Sequence, residues 1–265
     1  MPFADFKKGK IHYTDHGNGR AVVLLHGFLE SSKMWENYLP HFVGKTRRVV
    51  CVDLPGHGRS DTFGYVHDME LMAKAVKAVL KKLNIRRAIL VGHSMGGYVA
   101  MAFAEFFPDN VKGICLFCST ARNDSNLKKS DREEAIKLVK KDHKSFIRKS
   151  IPLLFRPENR KIFKPEIEAM KKEALKMSPR AIVAALKGMK KRKDREIILR
   201  FNPYPVHFII GKEDSVLLWS DLIAQTKHSE NVTYSLFEES GHMGFLEDER
   251  ACRNDLIKFF NSLNQ

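Results

Sequence analysis

The chain has 265 residues, 43% of them hydrophobic, which suits a soluble globular protein with one substantial core, or a core plus an insertion. Its 46 Lys and Arg against 31 Asp and Glu give a net charge of +15, and residues 122–200 alone hold 25 basic against 11 acidic side chains, or +14. The N-terminus lacks the apolar stretch of a secretory signal, and no run is long enough for a membrane span. Cys51, Cys115, Cys118 and Cys252 follow no disulfide spacing, so a cytoplasmic protein without a membrane partner is expected.

Residues 10–16 alternate like a strand and run into the turn Gly17-Asn18-Gly19. Residues 21–25 and 48–52 are the apolar runs of strands buried on both faces of a parallel sheet, with helically spaced Met34, Trp35, Tyr38 and Leu39 between them. The second run ends in Asp53-Leu54-Pro55-Gly56-His57-Gly58-Arg59-Ser60-Asp61, too rich in Gly and Pro for regular structure. Residues 68–83 place their apolar side chains on one helical face, 88–91 form another buried strand, and a helix follows to about Phe107. Residues 111–118 are a further strand, within which Cys115 and Cys118 read as core side chains.

There the strand–helix rhythm breaks. The basic segment reads as amphipathic helices over 131–141, 142–150, 157–176 and 179–189, with Pro157 and Pro179 near helix starts. The rhythm resumes with a strand at 206–210, a helix at 217–226, a strand at 233–237 and a helix at 248–263. The expected fold class is α/β, a doubly wound, mostly parallel sheet. Ligands collect at the carboxyl ends of such strands, so residues 1–121 and 201–265 are expected to form the core and 122–200 a basic helical lid above it.

The stretch that organises the chain is Gly92-His93-Ser94-Met95-Gly96, a Gly-x-Ser-x-Gly motif between a predicted strand and a predicted helix. A sharp strand-to-helix turn strains its apex and brings the chain against itself. Glycine leaves the room, and Ser94 is held out at the end of a central strand as the expected nucleophile. No cluster has metal-ligand spacing and no Gly-x-Gly-x-x-Gly follows a strand, so neither a metal nor a nucleotide cofactor is expected.

With His26-Gly27, the Asp53–Ser60 turn, the elbow at Ser94 and Gly241-His242 after the last strand, the chain resembles the α/β-hydrolase superfamily over essentially its full length. The resemblance implies a Ser, acid, His order. Ser94 needs a base, and of 11 histidines only His242 follows the last strand in a small-residue loop, where the superfamily places it. His26 and His93 flank tight turns and are expected to make structural hydrogen bonds. Asp214, just past the strand at 206–210, stands at the superfamily's acid position, with adjacent Glu213 out of phase and Asp124 at the acid position some members use. Asp53 and Asp61 suit turn-forming roles. The oxyanion hole is expected from the backbone N–H groups of Phe28 and Met95.

These residues imply a serine hydrolase that cleaves carboxylic esters or thioesters through an acyl-enzyme. A cofactor-free lyase or C–C bond hydrolase on the same residues is the alternative. The superfamily's menaquinone-pathway lyase has a similar His-Gly-Phe-Leu opening, whereas Phe28-Leu29-Glu30 lacks the Gly-Pro-Gly of its C–C hydrolases. A non-catalytic small-molecule receptor is the third class. The lid's apolar residues, among them Phe146, Leu154 and Leu186, predict a pocket for small-to-medium acyl groups. Its lysines lack the interleaved aromatics of a single-strand binder, so no nucleic acid is expected, and an anionic or carrier-linked acyl substrate is the charge-based alternative to plain solubility.

Overall fold

The computed structural model of the chain describes residues 2–263. Strands β1 (Phe3–Phe6) and β2 (Gly9–Gly17) form an antiparallel hairpin, with Ala4 opposite Ile11. β3 (Arg20–Leu25), β4 (Arg47–Val52), β5 (Ala88–His93), β6 (Val111–Phe117), β7 (Val206–Gly211) and β8 (Val232–Phe237) complete one sheet. The order is β1-β2-β4-β3-β5-β6-β7-β8; β2 meets β4 antiparallel and every later pair is parallel. Every residue of β5 and β7 is buried, as a parallel sheet covered on both faces requires. β1 is absent from the sequence expectation because four residues carry too little alternation, and it forms by pairing with β2.

The helical region expected near Met34–Leu39 is a 3₁₀ turn (Ser32–Trp35) followed by the short α1 (Leu39–Phe42). α2 (Met69–Lys82) starts where the Asp68 carboxylate accepts the Leu71 N–H, and it buries Met72, Ala75, Val76, Val79 and Leu80. α3 (Met95–Phe106) follows β5 without a loop and packs against α2 and the sheet. Cys118, placed by its sequence at the end of a strand, lies one residue past β6 with φ +43°.

Between β6 and β7 the chain inserts α4 (Asn126–Ser150), α5 (Lys164–Ala174), α6 (Pro179–Lys190) and α7 (Glu196–Phe201). α4 is kinked where two helices are expected to meet: Asp142 leaves helical geometry and its Oδ1 accepts the Ser145 N–H, capping the second half. The helix expected over 157–176 is broken instead into a 3₁₀ turn (Pro157–Arg160) and α5. Pro165 is the reason. Inside a continuous helix its ring would displace a main-chain hydrogen bond, whereas in the first turn of α5 the missing N–H costs nothing. α7, not expected from periodicity, packs on α3 and on α8 (Trp219–Thr226). The chain closes with α9 (Gly244–Glu247) and α10 (Glu249–Ser262), whose Phe260 ring meets Phe42 of α1 at 5.1 Å. Among the described residues, no helix is long and apolar enough to cross a membrane.

Candidate active site

Ser94 stands at the junction of β5 and α3 with φ +49°, a left-handed conformation that an L-residue rarely adopts. The neighbouring glycines make the turn possible: a β-carbon at Gly92 would collide with the main chain of Gly96, and one at Gly96 with the carbonyl of Leu25. The Ser94 N–H donates to the Phe117 carbonyl at 2.9 Å, and the Ser119 hydroxyl donates to the Ser94 carbonyl at 2.7 Å. The serine is therefore locked to the end of β6 and the residues just past it on both sides of its α-carbon.

His242 and Asp214 come to it from the ends of β8 and β7. His242 Nε2 lies 2.9 Å from Ser94 Oγ, and its Nδ1 lies 2.7 Å from Asp214 Oδ2. The other Asp214 oxygen accepts the N–H groups of Val216 (2.7 Å) and Leu217 (3.0 Å), so the carboxylate cannot rotate away. With Asp214 accepting, Nδ1 carries the proton and Nε2 presents a lone pair to the serine hydroxyl. His242 is held by its backbone too. Its N–H donates to the Leu154 carbonyl of the insertion, and its carbonyl lies 3.0 Å from His93 Nε2.

The other candidates separate from this group. Asp124 does not meet His242; it is buried between Arg132, at 2.5 Å, and Arg192, also at 2.5 Å, and Arg192 stacks over the Tyr98 ring at 4.0 Å. Glu213 is exposed beyond β7. His26 makes the structural bonds expected of it: Nδ1 donates to the Gly27 carbonyl, Nε2 accepts the Leu54 N–H, and burial pushes its pKa down. Asp53 accepts from Ser32 N–H, Arg59 N–H and His12 Nδ1, and Asp61 accepts from Lys10 N–H, so both organise turns. Phe28 lines the cavity at Ser94 and Met95 opens α3; among the described residues neither backbone N–H is taken by another acceptor.

A cavity of about 220 Å³ opens on Ser94 and His242. Its walls are largely apolar, from Phe28, Ala135, Phe146, Leu154, Leu186, Met189 and Val216, and most of these belong to the insertion. Lys128, Asp131 and Arg132 of α4 also reach it, as do Tyr98 and Glu30. Lys128 belongs to the basic lid expected from the sequence; Glu30, Tyr98, Arg132 and Arg192 were not among the candidates. Only Glu30 carried a signal, as a carboxylate set directly behind Phe28-Leu29 in the loop leaving a buried strand. Among the described residues no three His, Cys, Asp or Glu side chains are grouped as metal ligands would be.

A family model described as alpha/beta hydrolase fold matches residues 20–249. The chain is 40% identical over 112 residues to a 2-hydroxy-6-oxononadienedioate/2-hydroxy-6-oxononatrienedioate hydrolase of Paraburkholderia phymatum, a match covering 40% of this chain and 39% of that protein. It thus spans about two fifths of that relative's length. It is 26% identical over 270 residues to the monoacylglycerol lipase ABHD6 of Homo sapiens, covering 94% of this chain and 77% of the relative. The solved structure of a thermophilic esterase from Thermogutta terrifontis, with malate bound, superposes with a TM-score of 0.91 at 26% identity, covering 97% of this chain and 95% of that one.

Proposed function

This chain belongs to the alpha/beta hydrolase fold family, and we propose that it is a serine hydrolase that cleaves carboxylic esters or thioesters of small-to-medium acyl groups. The observation that carries the reading is the unbroken hydrogen-bond chain Ser94–His242–Asp214 opening on an apolar cavity. In this scheme Ser94 Oγ attacks the acyl carbon while its proton passes to His242 Nε2. Asp214 holds the tautomer and balances the imidazolium. The Phe28 and Met95 amides receive the oxyanion. His242 then returns the proton to the departing alcohol or thiol, and water, deprotonated by the same nitrogen, releases the acid from Ser94.

Residues 122–200 act in this reading as the lid, and the size of the cavity supports compact substrates: about 220 Å³ lies below the roughly 300 Å³ at which sites for drug-sized ligands begin. Lys128 in its wall, beside the Asp124-paired Arg132, supports an acyl group with an anionic end, or an anionic carrier at the mouth.

The 40% match to a dienedioate hydrolase supports a second reading, C–C bond hydrolysis or lyase chemistry on the same three residues. A panel of p-nitrophenyl esters, a dienedioate and a 2-succinyl-cyclohexadiene substrate tests the choice. Ester turnover that disappears in Ser94→Ala is expected. Turnover of either carbon substrate alone would transfer the assignment to that chemistry, and no turnover of any, with no fluorophosphonate labelling of Ser94, would favour a binding protein.

A further inference from the structure

Beneath the site lies a pair of titratable groups with no step of their own in that scheme. His93, next to Ser94 in sequence, is 1% exposed and Glu30 is 8% exposed. His93 Nδ1 is 3.0 Å from Glu30 Oε2, and His93 Nε2 is 3.0 Å from the His242 carbonyl oxygen. The same Glu30 oxygen receives the Gly27 N–H at 2.6 Å. A β-carbon on Gly27 would lie 2.7 Å from Glu30 Oε2 and 2.8 Å from His93 Nδ1, so the loop closes onto the pair with no space between them.

Both nitrogens of His93 therefore face acceptors. A neutral imidazole has one N–H and one lone pair, so one of the two contacts would set lone pair against lone pair. Flipping the ring puts carbon where nitrogen now stands and loses both bonds. One added proton shared by the pair satisfies every atom. The Gly27 N–H aimed at Glu30 Oε2 favours keeping the negative charge on that oxygen and the proton on the ring, imidazolium to carboxylate on one side and imidazolium to carbonyl on the other.

We propose that His93 is a standing imidazolium, paired with Glu30, and that the pair is a positioning clamp joining the loop of Gly27 and Phe28 to the loop of His242. Burial alone would push His93 down and Glu30 up. The charge and hydrogen bond each lends the other, with the His242 carbonyl and the Gly27 N–H, carry His93 above its ordinary value and Glu30 below its own. Asp214 adds to the field holding the proton on His93, and His26 and the His242 ring, at 5.2 Å, are the other titratable groups facing the pair. Phe117 and Phe245 close the remaining sides edge-on at 5.8 Å and 5.1 Å. Buried at the edge of the cavity, the pair holds two loops at a fixed separation, and these loops carry the proposed oxyanion donor and base. Its effect on turnover rests on the proposed roles of Ser94 and His242; its protonation state does not.

Two measurements test the clamp. In protein carrying ¹⁵N-labelled histidine, NMR at about pH 8, well above the ordinary histidine value near 6.5, reads the ring nitrogens directly, with assignment from His93→Asn. The expected result is a His93 ring protonated on both nitrogens in wild type, in Ser94→Ala and in Glu30→Asp, and not in Glu30→Gln. An unprotonated ring nitrogen on wild-type His93 would overturn the charge assignment whatever the protein hydrolyses. In kinetics, Glu30→Gln is expected to lower kcat about 10–100-fold, as loss of a supporting partner does, with KM nearly unchanged and Glu30→Asp recovering much of the loss. Wild-type kcat in Glu30→Gln would remove the positioning role, and the NMR result stands by itself if that variant fails to fold.

Discussion

Asp214 and Asp124 are the two candidate acids, and the structure gives them different surroundings. Asp214→Asn can no longer hold the Nδ1–H tautomer of His242, so kcat should fall on the order of 10³–10⁴-fold with the fold intact. Asp124→Asn leaves Arg192, whose side chain is 4% exposed, without its counter-charge. It should cost about 3 kcal/mol in urea unfolding and leave ester kcat within a few-fold. The reverse pattern would move the acid to Asp124. Buried histidines set a second, independent response. Burial pushes His57 down to about 3 and His67 down to about 4, so both stay neutral in the fold while the unfolded chain protonates them below about 6.5. Their folded pKa values are depressed, so their contribution is complete above pH 6.5 and is lost as pH falls toward 4, on the order of 3 kcal/mol per group. Urea midpoints measured from pH 7 to 4 should fall steadily, with a shallower slope in His57→Gln; equal slopes would contradict the account. The hydrogen-bonded group was legible because the strand-to-helix turn restricts what can surround Ser94, and the superfamily resemblance pointed to His242 and Asp214 after the last two strands. Glu30 and the arginines on Asp124 were not, because their partners lie 63, 8 and 68 residues away in sequence and no local pattern announces the pairing.

At the scale of elements, the parallel strands were legible as apolar runs because both faces of the sheet are covered. The insertion was less so. Its helices are largely polar, and breaks such as that before Pro165 depend on which turn the proline falls in. The same insertion supplies most of the cavity wall, and that gives a prediction about substrate size. Leu186, 2% exposed, and Phe146 stand across the cavity from the core. Wild-type kcat/KM should fall from butyryl to longer p-nitrophenyl esters, and Leu186→Ala should move the optimum to longer chains while costing about 2–5 kcal/mol of stability. An unchanged chain-length profile in that variant would show that the insertion does not set the limit.

Over the whole molecule, the uneven charge and its place above the site were plain in the sequence, whereas which cations line the cavity, Lys128 and Arg132, depends on the packing of α4. Neighbouring charges are partly offset: Lys190 pairs with Glu133, Lys171 with Glu168, and Arg192 with Asp124. If the remaining field steers substrate, kcat/KM for an anionic ester should fall steeply once salt shortens the Debye length to about 10 Å or less, while a neutral ester is unaffected. Parallel, flat curves would leave the charge a matter of solubility.

The proposed chemistry depends on Ser94 carrying the acyl group. The direct measurement is peptide mass mapping of protein quenched in acid during turnover of p-nitrophenyl acetate. The account predicts an acetyl group on the peptide containing Ser94, disappearing when substrate is exhausted and absent in Ser94→Ala, which should also lose several orders of magnitude in turnover, with Ser94→Ala/His242→Ala little worse. Steady turnover with no adduct on Ser94, and undiminished in Ser94→Ala, would contradict it.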